Sequence, residues 1–124
     1  MARKRILVVD DDVDIRTELA EFLETKGYQV EVAGDGREAL EMIKAAPADV
    51  VITDIKMPRG DGYELIRQLR AMDPVIPIII IAGHVSQPDF NKAKKFGGTI
   101  IMKKPISVRK LYKHLKHLNE SEDE

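Results

Sequence analysis

At 124 residues, 44% apolar and 33% charged, the chain has the composition of one globular domain, and general surface scaling buries about two-thirds of the surface of a chain this long. The absence of Cys excludes disulfides, thiolate metal sites and a cysteine nucleophile. A net charge of −1 argues against a generic polyanion binder, although residues 1–62 hold 9 basic and 14 acidic side chains, residues 63–118 hold 11 and 3, and residues 119–124 add four acids.

The basic start Ala2-Arg3-Lys4-Arg5 is followed by only four apolar residues, Ile6 to Val9. A secretory core needs about 7 to 15 apolar residues, and a bilayer span about 20. Val75 to Ala82, interrupted by Pro77, also falls short, so a cytoplasmic protein without a membrane segment is expected. Ile6–Val9 reads as a first strand and ends at Asp10-Asp11-Asp12. Ile15, Leu19, Phe22 and Leu23 then recur at helical spacing, and Gly27 stands where a helix would end. Gln29–Ala33 is a second strand, and Asp35 with Glu38 marks the next helix start by a capping pair. Val50–Thr53 is a third strand, ending at Asp54, and Asp61 with Glu64 marks a third helix. Ile78–Ala82 is a fourth strand, and Ser86 with Asp89 starts a fourth helix. Thr99–Met102 is a fifth strand, followed by Lys103-Lys104-Pro105. Val108, Leu111, Tyr112, Leu115 and Leu118 form the apolar stripe of a last helix, with Arg109, Lys110, Lys113 and Lys116 largely off it. Residues 1–118 are read as the domain and 119–124 as an acidic, disordered tail.

Strict alternation of strands and helices, with strands that are mostly continuously apolar, predicts an α/β fold: a doubly wound, parallel (βα)5 sheet. In such sheets ligands sit beyond the carboxyl ends of the strands, where the strand order reverses. If the first and third strands are neighbours, Asp10, Asp11 and Asp54 meet there. Carboxylates that close repel one another unless a cation lies among them. An all-oxygen set of two or three carboxylates favours Mg²⁺, and a lysine after the fifth strand would meet an anionic ligand in the same crevice. Such an arrangement suits phosphoryl transfer. A helix cap accounts for Asp12 and Asp14 alone, but it does not account for three acids on separate loops meeting.

Other motifs fail on their own chemistry. Asp10, Asp12, Asp14 and Glu21 match an EF-hand loop, but Ile15 stands where its glycine must turn, and a strand precedes it. Gly34-Asp35-Gly36-Arg37-Glu38-Ala39 matches a dinucleotide fingerprint after the wrong strand, and Asp35 with Glu38 already makes a cap. From Asp10 and Asp12, the motif of an aspartyl-nucleophile hydrolase fails at Asp14. His114 and His117 share a helix face without a third ligand.

The stretches Ile6-Leu7-Val8-Val9-Asp10-Asp11-Asp12, Asp54-Ile55-Lys56-Met57-Pro58 through Asp61-Gly62-Tyr63-Glu64-Leu65, and Lys104-Pro105 together resemble the response-regulator receiver domain, the CheY-like family of two-component signalling. The resemblance spans residues 5–118. It implies a flavodoxin-like sheet of order 2-1-3-4-5 and a phosphoacceptor signalling domain rather than an enzyme, its chemistry at most self-catalysed. Asp54 would take a phosphoryl group from a phosphohistidine on a histidine kinase or phosphotransfer protein. Asp11, Asp54 and the backbone carbonyl of Lys56 would ligate Mg²⁺ directly, Asp10 through water, and Lys104 would pair with the phosphoryl oxygens across a cis bond to Pro105. The basic fourth helix, fifth strand and fifth helix would meet a second copy, a downstream target or an output domain, whereas direct nucleic-acid binding is not expected.

Two positions depart from the family. Ala82 stands where receivers keep a Ser or Thr that holds the phosphoryl group, and Ile101 stands where an aromatic ring normally moves in behind it. No Ser or Thr lies between Asp54 and Ser86 to restore the hydroxyl. The competing reading is an interaction module of receiver fold that works without phosphorylation. A small-molecule phosphotransfer enzyme ranks third, since no substrate pocket is indicated.

Overall fold

The computed structural model describes residues 4–55, 62–83 and 86–122. In chain order its elements are β1 (Arg5–Val9), α1 (Val13–Thr25), β2 (Gln29–Ala33), α2 (Gly36–Ala45), β3 (Val50–Asp54), α3 (Gly62–Met72), β4 (Ile78–Ala82), α4 (Gln87–Phe96), β5 (Ile100–Lys103) and α5 (Val108–Glu122). The five strands are all parallel, in the order β2-β1-β3-β4-β5. This is the α/β, flavodoxin-like sheet that the alternation and the resemblance predict.

The apolar runs explain the layers. A continuously apolar strand must be covered on both faces, and β4, apolar throughout, and β3, apolar up to Thr53, lie inside the sheet and are buried at every position. Ile6, Val8, Ile52, Ile79 and Ile81 face Leu19 and Leu23 of α1 and Leu111 and Leu115 of α5. On the opposite face Leu7, Val9, Val51, Ile78 and Ile80 meet Ala39 and Ile43 of α2, Leu65, Ile66 and Leu69 of α3, and Ala93 of α4. The edge strand β2 is more open to solvent, with Gln29 and Val32 exposed, Val30 and Glu31 half-buried and only Ala33 buried.

Local chemistry sets the helix ends. Asp12 Oδ1 accepts the amides of Asp14 at 2.9 Å and Ile15 at 3.2 Å, so this acid caps α1. Asp35 Oδ1 accepts the Glu38 amide at 2.8 Å and caps α2, which disposes of the dinucleotide motif. Gly27 follows α1 with φ +93°, a backbone state that favours glycine. Asp61 lies outside the described residues. Three ends differ from the periodicity: β1 starts at Arg5, β3 continues to Asp54, and β5 shifts to Ile100–Lys103. The parallel ladder continues past the apolar run, pairing Asp54 with Ile81 and Ala82 with Lys103. α5 also continues to Glu122, past the boundary at 119 where composition places the tail; no Gly or Pro interrupts it there.

One side chain ties the far end of the sheet together. The guanidinium of Arg70, on α3, donates to the Gly97 carbonyl from Nε at 3.0 Å and Nη2 at 2.7 Å, and to the Ile76 carbonyl from Nη1 at 2.6 Å. It joins the loop before β4 to the loop before β5. Burial lowers its pKa from the ordinary value, yet arginine stays charged and these bonds are charge-assisted. Arg70→Ala is expected to cost about 2 kcal/mol. Urea unfolding should register it as a midpoint lower by about 1 M; an unchanged midpoint would dismiss the staple.

Candidate functional site

Because β1 and β3 are neighbours, with Val9 opposite Thr53, the residues just after β1 lie beside the last residue of β3. One carboxylate oxygen from each of Asp10, Asp11 and Asp54 lies within 4.8 Å of the other two. Among the described residues this is the only such grouping of His, Cys, Asp or Glu. Asp10 is 1% and Asp54 6% exposed, whereas Asp11 is open to solvent.

Lys104 enters from the other side. Its amide donates to the Ala82 carbonyl at 2.8 Å, one residue beyond the β4–β5 ladder, and this fixes where the side chain sets out. Its Nζ donates to Asp54 Oδ2 at 2.7 Å and lies 3.4 Å from Asp10 Oδ2. The bond from Lys104 to Pro105 is cis, as the resemblance implies.

The electrostatics are unbalanced. Asp10 Oδ1 accepts the Asp12 amide at 2.9 Å, but its buried Oδ2 has no hydrogen bond. Burial pushes the Asp10 carboxyl above its ordinary pKa; the Asp12 amide and Lys104 counter this only in part, and the Asp54 charge adds to the rise. Burial also works against the Lys104 ammonium, yet its hydrogen bond to Asp54 and the charges of Asp54 and Asp10 outweigh burial and raise its pKa. Among the described residues one ammonium, that of Lys104, is paired with these carboxylates, which leaves an excess of negative charge. A buried carboxylate oxygen with an ion pair but no hydrogen bond, in an all-oxygen donor set, fits a hard divalent cation, and the small number of carboxylates fits Mg²⁺ better than Ca²⁺.

The remaining predicted positions fall as follows. Ala82 is buried at the end of β4, and Ile101 is half-buried on β5; both pack in the apolar layer under α2, α3 and α4. Lys56 lies outside the described residues. Nothing in the sequence marks Arg16, whose Nη1 donates to the Asp10 carbonyl at 3.0 Å.

A profile of the response regulator receiver domain matches residues 6–116. The chain belongs to the response-regulator receiver family. The response regulator MprA of Mycolicibacterium vanbaalenii is 39% identical over 114 residues, which are 92% of this chain and 49% of that protein. MprA of Mycobacterium tuberculosis is 38% identical, again over 92% of this chain and 50% of that protein. The chain thus spans about half the length of these curated relatives. Among solved structures, a CheY-like receiver domain protein of Methanospirillum hungatei superposes with a TM-score of 0.93 at 32% identity, covering 98% of both chains. The chemotaxis protein CheY4 of Vibrio cholerae gives 0.89 at 34% identity, covering 94% of this chain and 98% of its own. The receiver is accordingly a signalling domain with an acidic pocket, and no helix among its described residues is long and apolar enough to cross a membrane.

Gly62, at the start of α3, holds the receiver's acidic pocket from behind. Its amide donates to the Ile55 carbonyl at 2.8 Å, and a Cβ there would stand 2.4 Å from the Asp54 carbonyl oxygen and 2.6 Å from the Ile55 Cα. Those are backbone atoms, which move only if the end of β3 moves. Gly62→Ala is expected to destabilise by about 1–3 kcal/mol. Gly83→Ala is the control, since a Cβ there meets nothing within 4 Å. Thermal unfolding should separate the two, and equal melting temperatures would remove this role for Gly62.

Proposed function

We propose that this receiver accepts a phosphoryl group on Asp54 from a phosphohistidine on a histidine kinase or phosphotransfer protein. The observation that carries this reading is the trio Asp10, Asp11 and Asp54 with Lys104 Nζ 2.7 Å from Asp54 Oδ2. Asp11, Asp54 and the Lys56 carbonyl would hold Mg²⁺, with Asp10 holding its water. When bound, the ion supplies charge neutralisation for the phosphoryl oxygens, which otherwise face three acids. One Asp54 carboxylate oxygen attacks phosphorus, the phosphorus–nitrogen bond breaks, and the imidazole leaves with its electron pair. The product is an acyl phosphate. Lys104 passes from the carboxylate to the phosphoryl oxygens as a mobile point charge.

Ala82 bears on how well the phosphoryl group is held, and Ala82 and Ile101 together bear on output. The Ala82 methyl offers no hydrogen bond to the phosphoryl group, and such a bond to a charged group is worth about 1.5–3 kcal/mol, or roughly 10- to 100-fold in stabilisation. Ile101 packs with the Ala82 layer and has no ring to swing inward. These two residues favour a second reading, an interaction module whose output does not depend on phosphorylation. On either reading the basic surface carrying Lys94, Lys95, Lys103, Lys110, Lys113 and Lys116 is the face for a second copy, an output domain or an acidic target, in a cytoplasmic setting.

Incubation with Mg²⁺ and acetyl phosphate should give a phosphoryl adduct by intact mass that is absent from Asp54→Asn. No adduct, under conditions that label an ordinary receiver, would select the interaction module. Ala82→Thr is expected to raise adduct yield or lifetime on the order of 10-fold; an identical time course would sink the account of the missing hydroxyl.

A further inference from the structure

A helical side chain leans toward the N-terminus of its own helix, and Arg16, in the first turn of α1, reaches back over the loop it has just left. Its Nη1 donates at 3.0 Å to the Asp10 carbonyl oxygen. That carbonyl belongs to the peptide joining Asp10 to Asp11, two members of the acid trio. A peptide is planar, so holding its oxygen sets one torsion of each residue and hence the direction in which Asp11 leaves the chain. The Asp10 side chain is tied separately, by the Asp12 amide at 2.9 Å. Asp11 is exposed to solvent.

Gly34, which follows β2, completes the arrangement. A Cβ on Gly34 would stand 2.9 Å from Arg16 Nη1, so the bare glycine leaves the space that the guanidinium fills. We infer that Arg16, seated against Gly34, is a positioning residue that locks the Asp10–Asp11 peptide and so gives the acid trio the rigidity that separates Mg²⁺ from larger cations. This rests on the proposed Mg²⁺ site. A small ion needs near-ideal octahedral geometry, whereas Ca²⁺ tolerates a looser one, so rigidity is read in the ratio of the two affinities.

The test uses the full chain with Arg16→Met and Gly34→Ala. The second keeps the arginine charge and displaces only the flexible end of its side chain, so it separates position from charge and stands even if the first variant fails to fold. Calorimetric titration with Mg²⁺ and with Ca²⁺ should show Mg²⁺ binding weakened about 10-fold in both variants and Ca²⁺ binding weakened much less. In the metal-free chain the Asp11 amide resonance should move in both. Mg²⁺ affinity within twofold of the parent, an unmoved Asp11 amide, or equal loss of both ions would overturn the inference while leaving the Mg²⁺ site intact. A parent chain that takes up no Mg²⁺ would remove the proposed site and this inference with it.

Discussion

Everything at the functional end of this molecule turns on two carboxylates buried side by side. Asp10 and Asp54 are driven together because their strands are hydrogen-bonded neighbours, and burial deprives both of the water that would solvate their charge. Among the described residues one ammonium answers both acids, that of Lys104, and it lies 2.7 Å from Asp54 Oδ2 and 3.4 Å from Asp10 Oδ2. The structure is therefore built short of positive charge at one place. On the proposed function, a divalent cation makes up that shortfall.

The parallel sheet makes this arrangement economical. Every strand points the same way, so every strand releases its chain at the same edge, and acids after β1 and β3 share a rim with the lysine after β5. Among the described residues the opposite rim carries no such acid trio, and there the Arg70 side chain gathers the Ile76 and Gly97 carbonyls. The acidic pocket and the Arg70 staple thus lie at opposite ends of the strands, the pocket at the carboxyl ends where open α/β sheets bind ligands. Glycine serves the functional end at two points: Gly62 allows α3 to begin against the backbone of β3, and Gly34 leaves a seat for Arg16.

Ala82 and Ile101 are the two positions at which the sequence departs from what its resemblance implies. Both side chains lie in the layer beneath α2, α3 and α4, one at the rim of the pocket and the other on the edge strand. A hydroxyl and a mobile ring at these places would form a polar, movable link from pocket to surface; a methyl and a branched aliphatic chain form a packed, apolar one. Packed interiors move between discrete arrangements rather than deform smoothly. On the proposed function, any signal leaving the pocket must travel by another route, and the basic surface of α4, β5 and α5 is its natural exit.

Much of this was legible in the residues alone. Continuous apolar runs announced strands covered on both faces, acids after strands announced a pocket, and Asp35 and Gly27 announced helix ends, because each of these signals is local: a neighbour three residues away, or a side chain on one face. The family followed from the same short stretches. What the residues alone could not decide was which distant groups touch. The contact of Lys104 with Asp54 bridges 50 positions, and that of Arg70 with Gly97 bridges 27. Such meetings depend on strand register and on the direction in which a long side chain turns, and neither leaves a periodic trace. Arg16 shows this most clearly: by spacing it is one more charge on an amphipathic helix, and only the folded course of β1 and β2 puts the Asp10 carbonyl and the bare face of Gly34 within its reach.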